Sequence, residues 1–151
     1  MTASRLNLDD FLPYRLSYSA NIVSLIIARS YAAMFGLKIP EWRLIAVIAE
    51  AEGITQQEIG RRTRMDKVTV SRATLALDSR NLIERSPNPI DGRSRLLRLT
   101  NAGRALYAEV APKALALEAQ IFGGFSADEI ATIKRLLRAI DAAAATLAES
   151  E

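Results

Sequence analysis

Thr55-Gln56-Gln57-Glu58 and Asp66-Lys67-Val68-Thr69-Val70-Ser71-Arg72, read together, decide the fold. The first is a capping box: Thr55 and Glu58 are spaced to close a helix N-terminus, with Ile54 and Ile59 as the hydrophobic staple around it. That helix is short and ends near Thr63. After a tight turn, Asp66 can cap a second helix that continues to about Arg80, with Val70, Ala73 or Thr74, and Leu77 as its buried stripe. Asn81 stands where a left-handed residue ends a helix, a task Asn performs in place of Gly. Two short helices meeting across a tight turn make a helix-turn-helix.

The second helix turns Lys67, Val68, Thr69, Ser71 and Arg72 outward near its start. Thr and Ser can donate to phosphates or base edges, Arg can bind guanine bidentately, and Val68 can pack on a thymine methyl. The helix N-terminus is itself suited to phosphate. The competing reading is an ordinary surface helix with no partner.

Two extended segments follow, Leu82 to Ser86 and Arg95 to Leu99, joined by a loop with Pro87, Pro89 and Asp91-Gly92. The loop is too long for a tight hairpin and should project as a flap. Arg93 and Arg95 at its tip suit a narrow, strongly negative minor groove, and Asp91 is expected to hold an arginine in place while Arg93 enters. A solvated turn in which Asp-Gly supplies only turn chemistry is the bland alternative. A helix-turn-helix followed by a basic β-flap is a winged helix.

Outside this core the chain reads as helices. The first is expected from about Pro13 to Phe35, stopped by Gly36, with two apolar stripes: Leu16, Ala20, Val23, Ile27 and Tyr31, and Ile22, Ile26 and Ala33. Such a helix should be covered on much of its circumference. A second follows Pro40 and ends near Gly53. After the flap, a long helix should run from Thr100 towards Phe122 with a kink at Pro112. Gly123-Gly124 separates it from a last helix, announced by the capping box Ser126-Ala127-Asp128-Glu129 with Phe125 and Ile130 as staple. The fold class is therefore mainly α with a small β-hairpin wing. Residues 37–100 form the winged helix-turn-helix lobe, and residues 1–36 and 101–151 a helical dimerisation region.

Composition narrows the function classes. The chain has 151 residues, 50% hydrophobic and 25% charged, near the average for one globular domain. It has no Cys and no His. Disulfides, thiolate zinc sites, catalytic thiols, thiol redox sensing, a His general base and His-ligated metals are thereby excluded. Between Arg61 and Arg104 there are 11 Lys or Arg against 4 Asp or Glu, a net +7, whereas the remaining residues carry 9 against 13, a net −4. Such polarisation points the middle third at a polyanion. The N-terminus lacks the plan of a secretory signal, and the longest apolar run, Leu44 to Ala49, is far too short to span a bilayer. A soluble, cytoplasmic protein with no membrane partner is expected.

The stretch Asp91-Gly92-Arg93-Ser94-Arg95-Leu96-Leu97-Arg98-Leu99-Thr100, followed by Gly103, resembles the wing and following helix start of the MarR family. Asp66 to Arg72 resembles that family's recognition helix, and Leu77 to Ile83 the segment that closes it. The flanking helices match in order and length. Asn81 departs from the pattern, which usually has Gly there.

The resemblance implies a homodimeric transcriptional regulator, repressor or activator, on a pseudo-palindromic operator in double-stranded DNA. Recognition helix 66–80 and wing 82–99 would make the contacts, through Lys67, Val68, Thr69, Ser71, Arg72, Arg93 and Arg95, with Asp91 supporting the wing. Apolar termini support a dimer independently. Leu6, Leu8, Phe11 and Leu12 precede the first helix, and Leu136, Leu137, Ile140, Ala143, Ala144 and Leu147 line the last. The family's effector pocket lies where the first two helices and the fifth meet the DNA-binding lobe, which makes Arg15, Tyr18 and Trp42 candidate ligand residues for an aromatic carboxylate. No cofactor, metal or catalytic residue is expected.

Two other classes compete. An architectural DNA-binding protein would share the basic middle and the dimer, and comparison of specific with non-specific DNA separates it. An enzyme would need paired carboxylates or a Lys/Tyr site. Neither Glu50 and Glu52 nor Asp9-Asp10 has a convergent partner in the sequence, and no Gly-rich phosphate loop is present.

Overall fold

Chain order in the computed structural model is a 3-10 turn (Leu8–Asp10), α1 (Leu12–Phe35), α2 (Ile39–Glu50), α3 (Gln56–Thr63), α4 (Lys67–Ser79), β1 (Ile83–Pro87), β2 (Arg95–Leu99), α5 (Asn101–Phe122) and α6 (Ala127–Glu149). The structure describes residues 4–51 and 53–150. Glu52, and with it the Glu50 and Glu52 pair, lies outside the described residues. Among the described residues no single helix is long and apolar enough to cross a membrane.

Local chemistry sets the boundaries. Pro13 sits in the first turn of α1, and Gly36 ends that helix at φ 61°. The helix α2 stops at Glu50, short of Gly53, because the Ala51 N–H turns back to the Ile48 carbonyl at 3.2 Å. At the end of α4, Asn81 takes φ 56° and the Leu82 N–H reaches the Leu77 carbonyl at 3.0 Å. Leu82 therefore closes the helix, and β1 begins one residue later than the extended segment expected from Leu82 to Ser86. The long α5 continues through Pro112 as one helix. Ser126 and Glu129 cap α6 reciprocally, at 3.1 and 3.0 Å.

Contacts divide the chain into two compact units, Met1–Pro112 and Lys113–Glu151. The first contains the core: Leu37, Leu44, Ile45, Ile59, Val70, Leu77, Leu97 and Val110 are almost wholly buried. β1 and β2 pair antiparallel with Ile83 opposite Leu99 and Pro87 opposite Arg95. Ile54 adds a bridge beside them, donating to the Leu97 carbonyl at 3.3 Å and accepting from the Leu97 N–H at 2.7 Å. Gly103 lies so close to the Leu82 carbonyl that a Cβ would stand 2.0 Å from its oxygen, so no other residue fits the start of α5 without moving the strand. The α1 helix is less covered than its two stripes predict: in the first, Tyr31 is buried, Leu16, Val23 and Ile27 are half-buried and Ala20 is exposed, and Ile22, Ile26 and Ala33 of the second are exposed. In the second unit, Phe122, Ile130, Ile133 and Leu137 line a groove, and no residue of α6 is buried.

Candidate nucleic-acid interface

The helix pair forms as its caps dictate, with one change. The Thr55 side chain accepts the Glu58 N–H at 3.2 Å, but the Glu58 carboxylate does not return to Thr55. It is taken by Arg61 and Arg62, with Nε distances of 2.8 and 3.1 Å. Charge-assisted bonds to two guanidiniums outcompete one to a neutral N–H, so the capping box is only half formed. The hydrogen bonds from Arg61 and then Arg62 hold the Glu58 carboxyl down at about 2. Arg64 then turns the chain at φ 56°, and Gly60 lets it pass close by, its Cβ position 3.3 Å from the Met65 carbonyl. Asp66 accepts the Thr69 N–H at 2.7 Å and so caps α4, a bond that also lowers the pKa of its carboxyl.

Four residues of α4 face the core: Val70, Ala73, Thr74 and Leu77 are each at most 4% exposed. The buried Thr74 hydroxyl is satisfied by the Val70 carbonyl at 2.7 Å. At 100° per residue the opposite face is centred on Val68, Arg72, Leu75 and Ser79. Lys67, Val68 and Arg72 are exposed, while Thr69 and Ser71 are half-buried on the flanks. Leu75 is 60% exposed at the middle of the outward face, where the sequence reading placed nothing. The signal was available, since it stands one heptad after Val68.

The wing tip is built from side-chain turns. The Asn88 amide donates to the Ser94 hydroxyl at 2.9 Å, and the Asn88 carbonyl oxygen accepts the Ile90 N–H at 3.0 Å. Asp91 differs from expectation: its carboxylate accepts the Arg93 backbone N–H at 3.0 Å and pairs with no guanidinium among the described residues. A backbone N–H two residues on is within reach of an aspartate in a turn without ordering a long side chain. Arg93 and Arg95 are exposed and form no ion pair among the described residues, whereas Arg85 leans towards Asp78 at 3.8 Å.

Gln56 and Gln57, at the first turn of α3, line two depressions. One includes Lys67 and Val70 of α4; the other includes Arg85, Arg93 and Arg95 of the wing. The two glutamines thus join the recognition helix to the wing along one surface. Neither glutamine is among the contacts expected from the sequence, although a helix-turn-helix sets its first helix across the phosphate backbone.

Comparison with known proteins gives the same answer over most of the chain. The MarR family profile matches residues 35–94, from the end of α1 to the wing tip. A MarR/EmrR family transcriptional regulator from Acinetobacter sp. ADP1 superposes with a TM-score of 0.86 over 93% of this chain and 99% of that one, at 27% identity. The helix-turn-helix and wing match the MarR family. The multiple antibiotic resistance protein MarR of Salmonella typhimurium is 28% identical over 127 residues, 83% of this chain and 88% of that protein. An uncharacterized HTH-type transcriptional regulator of Bacillus subtilis, YdgJ, is 28% identical over 87 residues, 58% of this chain. The chain spans about half of the length of YdgJ, 53%.

The three candidate effector residues do not converge. Arg15 pairs with Asp9 at 3.3 Å and lies over the Tyr18 ring, 5.2 Å from its centroid. Trp42 is elsewhere: it stacks on Tyr107 at 5.8 Å and meets the edge of Tyr31 at 5.9 Å. About 20 Å of helix axis separates Tyr18 from Tyr31, so Trp42 shares no pocket with Arg15 within one chain. In the sequence Tyr31 counts only as a member of an apolar stripe and Tyr107 carries no assignment, because their meeting with Trp42 depends on how α1, α2 and α5 cross. Burial raises the Tyr31 hydroxyl above its ordinary pKa of 10.0.

Proposed function

We propose that the chain is a homodimeric, ligand-responsive transcriptional regulator that binds a pseudo-palindromic operator. The observation that carries this reading is the continuous basic and polar surface from Lys67, Val68 and Arg72 through Gln56 and Gln57 to Arg93 and Arg95. In this arrangement Lys67, Thr69 and Ser71 contact phosphates, Arg72 and Val68 read base edges, and Arg93 enters the minor groove beside Arg95, positioned by Asp91. The second copy covers the exposed apolar residues of the N-terminal segment and of α6. An aromatic carboxylate is the effector class, with Arg15 pairing its carboxylate and Tyr18 packing on its ring. A ligand that prefers dimers of another wing spacing then lowers DNA affinity.

The test is fluorescence anisotropy on the DNA immediately upstream of the protein's own gene, with a scrambled duplex as control and a salt series. Tight binding that falls steeply with salt and discriminates between the duplexes is expected. Arg93→Ala should weaken binding broadly, and Arg72→Ala should also change sequence preference. Equal binding to both duplexes would favour an architectural role, and no binding at low salt would sink the assignment. For the effector, Arg15→Ala should abolish binding of an aromatic carboxylate that leaves Trp42 fluorescence unchanged. Quenching of Trp42 that survives Arg15→Ala would move the site to the Tyr31, Trp42 and Tyr107 cluster.

A further inference from the structure

The outward face of α4 has a pattern that phosphate binding does not use. Val68, Arg72 and Leu75 follow one another at i, i+4 and i+7, which places them within about 60° of each other around the helix. Val68 and Leu75 are 58% and 60% exposed. Arg72, exposed between them, forms no ion pair among the described residues. The ridge is thus a guanidinium with a branched aliphatic side chain on either side. From Val68 to Leu75 it rises about 10 Å along the helix, close to three base-pair steps of about 3.4 Å.

Taking α4 as the helix that reads the duplex, we propose that this ridge selects a guanine flanked by thymines. Arg72 meets the O6 and N7 of the guanine, and Val68 and Leu75 meet the C5 methyl groups of thymines on its two sides. The thymine methyl is the one apolar group that bases present in the major groove, so two aliphatic side chains there discriminate thymine from every other base. The surroundings favour nucleic acid over a protein partner. Lys67 and Arg64 stand nearby, the segment from Arg61 to Arg104 is net +7, and the apolar pair is split by a cation and flanked by Ser71 and Ser79.

The experiment is selection by the full chain from a duplex pool with a random centre, followed by thymine-to-deoxyuridine replacement in the enriched site. Deoxyuridine pairs as thymine does and lacks only the methyl, so the protein is left untouched. The enriched half-site should hold a guanine with thymines within two steps on each side, and each methyl removed should weaken binding about three- to fivefold. Leu75→Ala should lose the response at one side and Val68→Ala at the other, with helicity by circular dichroism unchanged. An enriched site that binds its deoxyuridine copy equally well overturns the thymine reading and leaves α4 as a DNA-reading helix. Failure to enrich any site overturns both readings. Leu75→Ala that keeps the full response, yet alters molecular mass in light scattering, makes the ridge a protein contact and overturns the proposal.

Discussion

Helices α4 and α6 begin alike and end up in opposite situations. Each is capped by a side-chain oxygen that accepts an N–H three residues on, from Asp66 in one and Ser126 in the other. Yet α4, with 13 residues, buries Val70, Ala73, Thr74 and Leu77, whereas α6, with 23, buries none. The apolar residues of α6 are not few: Leu136, Leu137 and Leu147 are 46%, 45% and 71% exposed. The difference teaches that the lobe around α4 is complete within one chain. The apolar face of α6 stays open in one chain, and in the proposed dimer it is the second copy that covers it.

The largest test of that contrast is Leu77→Ala, which removes a fully buried side chain from the inner face of α4. Urea unfolding should show a loss of about 2–5 kcal/mol, independent of protein concentration. A loss below about 1 kcal/mol would mean that the lobe lacks a tightly packed core. Next comes the double variant Leu136→Glu with Leu137→Glu. It should leave helicity intact and weaken self-association at least about tenfold, roughly 1.4 kcal/mol, read by light scattering across a dilution series. Unchanged mass at every concentration would move the dimer contact off α6. The caps should then be nearly equal despite their different settings, Asp66→Ala and Ser126→Ala each costing about 1 kcal/mol. Their thermal melts should diverge with dilution, because only α6 is read as depending on a second copy.

The smallest effect is that of pH on α3. The Glu58 carboxyl lies at about 2, below its ordinary 4.5, so its bonds to Arg61 and Arg62 add stability that is complete above pH 4.5. That contribution fades as pH falls through about 2. It should be modest and salt-sensitive, because the pair is exposed to solvent. Glu58→Gln should flatten this part of the acid melting curve, and identical curves would show that the arginines find other partners.

Helix ends and the wing were legible because they are local: Gly36, Asp66, Asn81 and Ser126 each specify a terminus from a few neighbouring residues. Even Gly103 in the wing motif has a local consequence, although its cause, the Leu82 carbonyl, lies across the strand. What was missed depends on competition or on distance. Thr55 and Glu58 have capping-box spacing, but Arg61 and Arg62 on the same helix take the carboxylate. Leu75 carries no assignment in the sequence, and only the angle fixed by Val70 and Leu77 turns it outward. Arg15, Tyr18 and Trp42 were grouped by side-chain type and by resemblance, and neither places α2 along the length of α1.

The bridge between Ile54 and Leu97 has a consequence for the thermodynamics of recognition. Its two hydrogen bonds fasten the base of the wing to the residue before the α3 cap, so β2 cannot swing without pulling on the start of the helix pair. On the proposed duplex, the backbone geometry between the two grooves is then set before encounter. Ordering entropy falls chiefly on the rotamers of Arg93, Arg95 and Arg72, about 0.5–1.5 kcal/mol for each side chain immobilised. Stiffness of this kind makes affinity respond to the distance between the two lobes of the proposed dimer, since a wing that cannot flex cannot absorb a mismatch in groove spacing.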